Sequence, residues 1–216
     1  MEKTPEIEEL VPLLRGVTHA YAFWFAVAGA ITLIVLADDG VAIAAAAIYG
    51  GGLCALFAGS ALYHRWRWNP RWRPLLRRVD HSTIFIFIAA SYTPMALLVL
   101  EGPLRWVVLG IAWGGAAAGI FFTIAWIDAP RWLTAGTYLA LGWVAVITIP
   151  QLGERLGAAP LTLVAVGGAF YTLGAVVYAR QRPDPWPETF GFHEIFHAFV
   201  IGAAICHFVA ICFVVL

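Results

Sequence analysis

The 216-residue chain is 62% hydrophobic and 12% charged, and its 13 Lys and Arg cancel its 13 Asp and Glu to a formal net charge of zero. Soluble domains carry about 25% charged residues; half that share, with a mean hydropathy of +0.82, excludes both a soluble globular domain and a disordered segment and points to a membrane protein. A neutral chain also lacks the basic surface that neutralises phosphates, so no nucleic-acid partner is expected.

The first residues, Met1 to Glu9, are acidic where the n-region of a cleavable signal is basic, so the first apolar run is expected to stay in the membrane. Apolar runs follow near 17–36, 41–63, 82–100, 104–125, 132–149, 161–179 and 192–216. The shortest has 18 residues, close to the 20 or so that cross a hydrocarbon core of about 30 Å at about 1.5 Å per residue. The expected fold is all-α, a single domain over 1–216 built as a seven-transmembrane helix bundle with short loops such as Asp38-Asp39-Gly40. Cys54, Cys206 and Cys212 lie within the apolar runs, where Cys behaves as a small packing residue.

Orientation follows from Lys and Arg alone. Lys3, Arg15, the six arginines between Arg65 and Arg78, Arg131, Arg180 and Arg182 fall on the side of the N-terminus, against Arg105 and Arg155 on the other. The N-terminus is therefore expected in the cytoplasm and the C-terminus outside. Trp66, Trp68, Trp106, Trp126 and Trp132 lie near the ends of runs, where an interfacial aromatic belt is expected. The stretch Arg65 to Arg73 can meet anionic headgroups, although setting topology already explains it.

Ionisable groups inside a membrane are costly and mark function by default. Of the charged residues only Arg105 and Glu194 fall inside the runs, while His64 closes the second, Asp80 opens the third and His193-Glu194-Ile195-Phe196-His197 opens the seventh. With alternating helices these meet at one depth on the cytoplasmic side. Residues four apart lie about 400° round a helix, so His193 and His197 share a face about 6 Å apart along the axis. That spacing suits two ligands of a tetrahedral zinc, with His64 as the third and a water in the fourth position. Asp80 then holds the metal-bound water and offsets the charge of three neutral imidazoles and a dication.

Each residue alone has a plainer reading. His64 beside Arg65 suits an interfacial side chain, and Asp80 a helix cap. Their convergence at one depth favours the joint metal site. Ser60, one turn before His64, either meets a ligand or satisfies a backbone carbonyl. His207, ten residues beyond His197 and so about 15 Å along the helix, cannot share the site; His81 and His19 carry no independent signal.

Ser60-Ala-Leu-Tyr-His64, Val79-Asp80-His81-Ser82 and His193-Glu-Ile-Phe-His197 on seven helices resemble the hemolysin III family, the bacterial branch of the progestin and adipoQ receptor superfamily that includes the adiponectin receptors. Arg15-Gly16-Val17-Thr18-His19, Ser91-Tyr92-Thr93-Pro94 and Phe190-Gly191-Phe192 extend the likeness over the chain. The resemblance implies zinc on His64, His193 and His197, Asp80 on the zinc-bound water, Ser60 in the same site, a lipid-facing cavity and, in related receptors, hydrolysis of ceramide amides. It does not extend to recognition of a soluble hormone, since the long N-terminal extension of the animal receptors has no counterpart in this sequence.

The expected activity is zinc-dependent hydrolysis of a lipid amide, or of an ester, near the cytoplasmic leaflet, with membrane lipids as partners and a bacterial inner membrane as the location. A non-enzymatic sensor of membrane lipids, with a structural zinc, is the alternative. A third reading takes His193-Glu194-x-x-His197 as the motif of a zinc metalloprotease with Glu194 as general base, which leaves His64 unexplained.

Overall fold

The computed structural model describes residues 12–216, so the acidic Met1–Glu9 stretch and Lys3 lie outside the described residues. Among the described residues seven helices are long and apolar enough to cross a membrane: α1 (Val17–Leu36), α2 (Gly40–Arg65), α3 (Arg73–Val99), α4 (Gly102–Ala125), α5 (Arg131–Leu156), α6 (Ala158–Arg180) and α7 (Phe192–Val215). Among the described residues the only β pairing is an isolated bridge between Trp186 and Phe190.

Local chemistry sets the helix ends. Asp39 caps α2, its carboxylate accepting from the Val41 N–H at 2.7 Å and the Ala42 N–H at 2.8 Å. At the other end of α2 the Trp68 indole N–H donates to the Leu62 carbonyl at 2.9 Å, satisfying one of the last orphan acceptors. Pro94 lacks an N–H, and α3 passes after it into a π-helical turn over Met95–Val99. Similarly, α5 tightens to a 3-10 segment over Trp143–Thr148. The Tyr92 hydroxyl lies 3.0 Å from the Leu141 carbonyl and 2.5 Å from that of Gly142, at the start of the tightened stretch.

Two bounds differ from the apolar runs. Helix α3 begins at Arg73 rather than near 82, because its arginine-rich first turns are helical although too polar to register in hydropathy. Asp80 consequently stands about two turns inside α3 and does not cap it; Trp72 occupies the capping position. Helix α5 likewise runs on to Leu156, past the run's end near 149.

Helices α1 to α4 pack as successive neighbours, α6 packs along α7 and against α5, and α7 touches α1, α2 and α3, which brings its first turn beside the end of α2 and the start of α3. Leu33, Tyr49, Phe85, Ala89, Val108 and Ala210 are essentially fully buried between helices. A Cβ on Gly50 or Gly52 falls on Ala30 or Ala90, the close backbone approach expected where small residues line membrane helix interfaces. The outer surface is the reverse of a soluble protein's: Phe25, Val35 and Phe121 are 79%, 72% and 73% exposed. Apolar surface on that scale belongs against lipid. The chain is an integral multi-pass membrane protein.

A cavity of about 320 Å³ is lined mainly by α2, α3, α5, α6 and α7, with His19 of α1 and Val108 of α4 also on its wall. His19, Ser60, Asp80, His193 and His197 line one end, and Leu100, Leu152 and Leu161 the other. From Asp80 to Leu100 α3 climbs about 30 Å, so the cavity extends along most of a bilayer's hydrocarbon thickness.

Candidate metal centre

Helix α7 starts at Phe192, so His193 and His197 sit on its first two turns, while His64 is the penultimate residue of α2. One nitrogen from each of His64, His193 and His197 lies within 4.8 Å of the others. His64 Nε2 and His193 Nε2 are 3.2 Å apart. Tetrahedral ligation at about 2.0–2.1 Å separates two nitrogens by about 3.3–3.4 Å, so this pair already has the spacing of ligands to one ion. The Asp80 carboxylate is 3.5 Å from His64 Nε2. His197 Nδ1 is buried with no hydrogen-bond partner among the described residues, an unmet group that costs about 1–3 kcal/mol if left so. Three imidazoles beside a carboxylate form a donor set suited to zinc.

Sequence reasoning undervalued His19. It is 2% exposed, its Nδ1 is 2.8 Å from the Ser60 hydroxyl, and its ring stacks on His197 with centroids 3.8 Å apart and planes 12° apart. Ser60 therefore reaches the centre through His19 as well as through its place one turn before His64. The one available signal was the position of His19 in Arg15-Gly16-Val17-Thr18-His19; nothing in helical periodicity pairs α1 with α7.

Glu194 is 1% exposed and has two partners: Arg15 Nε at 2.5 Å on one oxygen and the Gly191 N–H at 2.8 Å on the other. It caps the first turn of α7 and neutralises Arg15. Both oxygens are thus engaged, which argues against Glu194 as the general base of a protease. Asp184 accepts from the Phe192 N–H at 2.9 Å, and the Leu13 and Leu14 N–H groups donate to the Glu188 and Thr189 carbonyls. The segment before α1 is in this way strapped to the loop before α7, across the mouth of the centre. Gly16, at φ +72°, lets the strap pass His64 closely, for a Cβ there falls 2.6 Å from that of His64.

His81 lines the cavity, and its carbonyl accepts from the Tyr138 hydroxyl at 3.3 Å. His207 also lines the cavity but stands apart from the three clustered histidines. Of the aromatic belt, Trp66, Trp106, Trp126 and Trp132 are exposed.

The profile of the family described as "Haemolysin-III related" matches residues 9–208. The chain is 32% identical over 209 residues to "Hemolysin-3" of Bacillus cereus, covering 94% of this chain and 91% of that protein. It is 32% identical over 201 residues to the human "Monocyte to macrophage differentiation factor", covering 90% and 80%. A more distant likeness, 27% over 178 residues, links it to the rice "Heptahelical transmembrane protein ADIPOR1", covering 74% of this chain and 46% of that one.

Proposed function

The chain belongs to the haemolysin III-related family, and we propose that within that seven-helix frame it is a zinc-dependent hydrolase of lipid amide bonds of the ceramide type, or of lipid esters. The observation that carries the reading is the convergence of His64, His193 and His197, with Asp80 against His64, at one end of a long, largely apolar cavity. A zinc ion at those three histidines supplies Lewis-acid polarisation of a carbonyl and an activated water.

The chain's own residues account for the remainder. The cavity takes the acyl chain, which sets the linkage between chain and headgroup at the histidine end. Asp80 takes a proton from the attacking water as the C–O bond forms and the carbonyl opens, then gives it to the amide nitrogen, so that the C–N bond breaks as the carbonyl re-forms and the amine departs. Ser60, held by His19, lines the same end and fixes the polar part of the lipid. The Lys and Arg distribution supports a cytoplasmic side for this end, and the Bacillus relatives support a bacterial inner membrane.

Zinc content of the purified protein, compared with a His193→Ala, His197→Ala double variant, tests the centre: the wild type is expected to carry about one zinc and the variant none. Equal contents refute it. A second reading, a lipid sensor in which zinc only ties α2 to α7, is favoured by the origin of the ligands on those two helices. Asp80→Asn separates the two. The hydrolase keeps its metal and loses ceramide cleavage in proteoliposomes by 100-fold or more, on the order expected for a proton-transfer group; a structural site shows no cleavage in either form.

A further inference from the structure

A second polar group lines the same cavity, and the metal centre makes no use of it. Tyr171 on α6 and His207 on α7 face each other edge to face, ring centroids 5.4 Å apart at 77°, and both line the cavity. His207 Nε2 is 3.3 Å from the Val164 carbonyl. A carbonyl only accepts, so Nε2 carries the proton and Nδ1 remains an acceptor. The ring sits where a side chain at position 167 would be: a Cβ on Gly167 collides with it.

The Tyr171 hydroxyl is buried without a hydrogen-bond partner among the described residues, and so is that of Tyr49, itself 0% exposed. Each such group costs about 1–3 kcal/mol if nothing meets it, and unsatisfied buried groups call for a water, an ion or a ligand. His207, with Tyr171 of α6 against it, stands ten residues beyond His197 on α7, about 15 Å along the axis. An extended chain advances about 1.2 Å per bond, so a lipid whose polar end lies at the histidines passes Tyr171 and His207 near its twelfth carbon.

We propose that Tyr171 and His207 recognise a hydroxyl carried partway along an acyl chain in this cavity, Tyr171 donating to its oxygen and His207 Nδ1 accepting its proton. The ligand class is thus a mid-chain hydroxylated fatty acyl group rather than a plain saturated one. The inference rests on the reading of the cavity as an acyl-chain site.

The test is competition of stearic acid and 12-hydroxystearic acid against radiolabelled stearic acid on the full-length protein in detergent. Wild type is expected to bind the 12-hydroxy acid about tenfold more tightly, and 6-hydroxystearic acid, with its hydroxyl out of register, no better than stearic acid. Tyr171→Phe, which removes only the hydroxyl, is expected to abolish the tenfold preference for the 12-hydroxy acid over stearic acid. Equal binding of the 12-hydroxy and plain acids by wild type, the result if a water alone satisfies Tyr171, overturns the inference and spares the acyl-chain reading. A preference that persists in Tyr171→Phe overturns the inference as well. If none of the acids binds, the acyl-chain reading fails and takes the inference with it.

Discussion

Replacing Arg15 by Met strands the Glu194 carboxylate. In the native protein the Arg15 guanidinium is 2.5 Å away and the Glu194 side chain is 1% exposed, so after the change one backbone N–H, that of Gly191, is the only remaining partner among the described residues. Breaking a buried ion pair from one side costs about 3–5 kcal/mol. Arg15 is 21% exposed, so the pair is partly solvated at one end and the lower figure, about 3 kcal/mol, applies. Glu194→Gln is milder, because the amide retains an acceptor for the Gly191 N–H and the unpaired Arg15 can turn toward water; about 1–2 kcal/mol is expected. The double variant is then expected to recover part of the loss of Arg15→Met. Reversible unfolding in mixed micelles, followed by circular dichroism against the mole fraction of denaturing detergent, measures all three. Equal losses for Arg15→Met and Glu194→Gln, or a neutral Arg15→Met, refute the claim that charge burial rather than hydrogen-bond count governs this end of α7.

Gly16→Ala puts a Cβ 2.6 Å from that of His64 at a φ of +72°; the backbone penalty alone is about 1–2 kcal/mol, and zinc content measured by atomic absorption is expected to fall as His64 is displaced. His19→Phe keeps a ring against His197 and removes the bond to Ser60, so zinc is retained while ceramide turnover drops, whereas His19→Ala also loosens His197 and lowers bound zinc. Removing zinc with a chelator is expected to lower the thermal midpoint in detergent, since an ion present at 100 times its Kd stabilises the fold by about 2.7 kcal/mol; the His193→Ala, His197→Ala variant is expected to show no shift on chelation.

Hydropathy identified all seven spans, because a membrane helix must be apolar along its whole length, and the four-residue spacing of His193 and His197 reads directly as one helix face. The bounds that it missed are those where helix and membrane part company. Arg73 to Arg78 are helical beyond the apolar zone, which moved Asp80 from a cap to an interior position on α3. The tightening of α5 after Gly142 leaves no mark on hydropathy, since its residues are as apolar as their neighbours. The partnerships of His19 with Ser60 and His197, and of Arg15 with Glu194, join elements 41 to 179 positions apart. Such contacts depend on how helices are arranged around the bundle, and no periodicity within one segment encodes that.

The shallow placement of the histidines bears on how the centre meets the membrane potential. His64 is one residue from the end of α2 and His193 one residue into α7, so only a turn or so of helix separates the centre from the surface on that side. A unit charge that crosses the full bilayer does work of about 2.3 kcal/mol per 100 mV; an ion entering the centre, or a proton leaving Asp80 for the same surface, traverses only a small fraction of that drop. On the proposed function, metal loading and proton release would therefore be coupled to the pH and metal supply of a single compartment and nearly independent of voltage. In proteoliposomes, turnover should stay constant when a potassium diffusion potential is imposed and change when the pH on that one side is shifted.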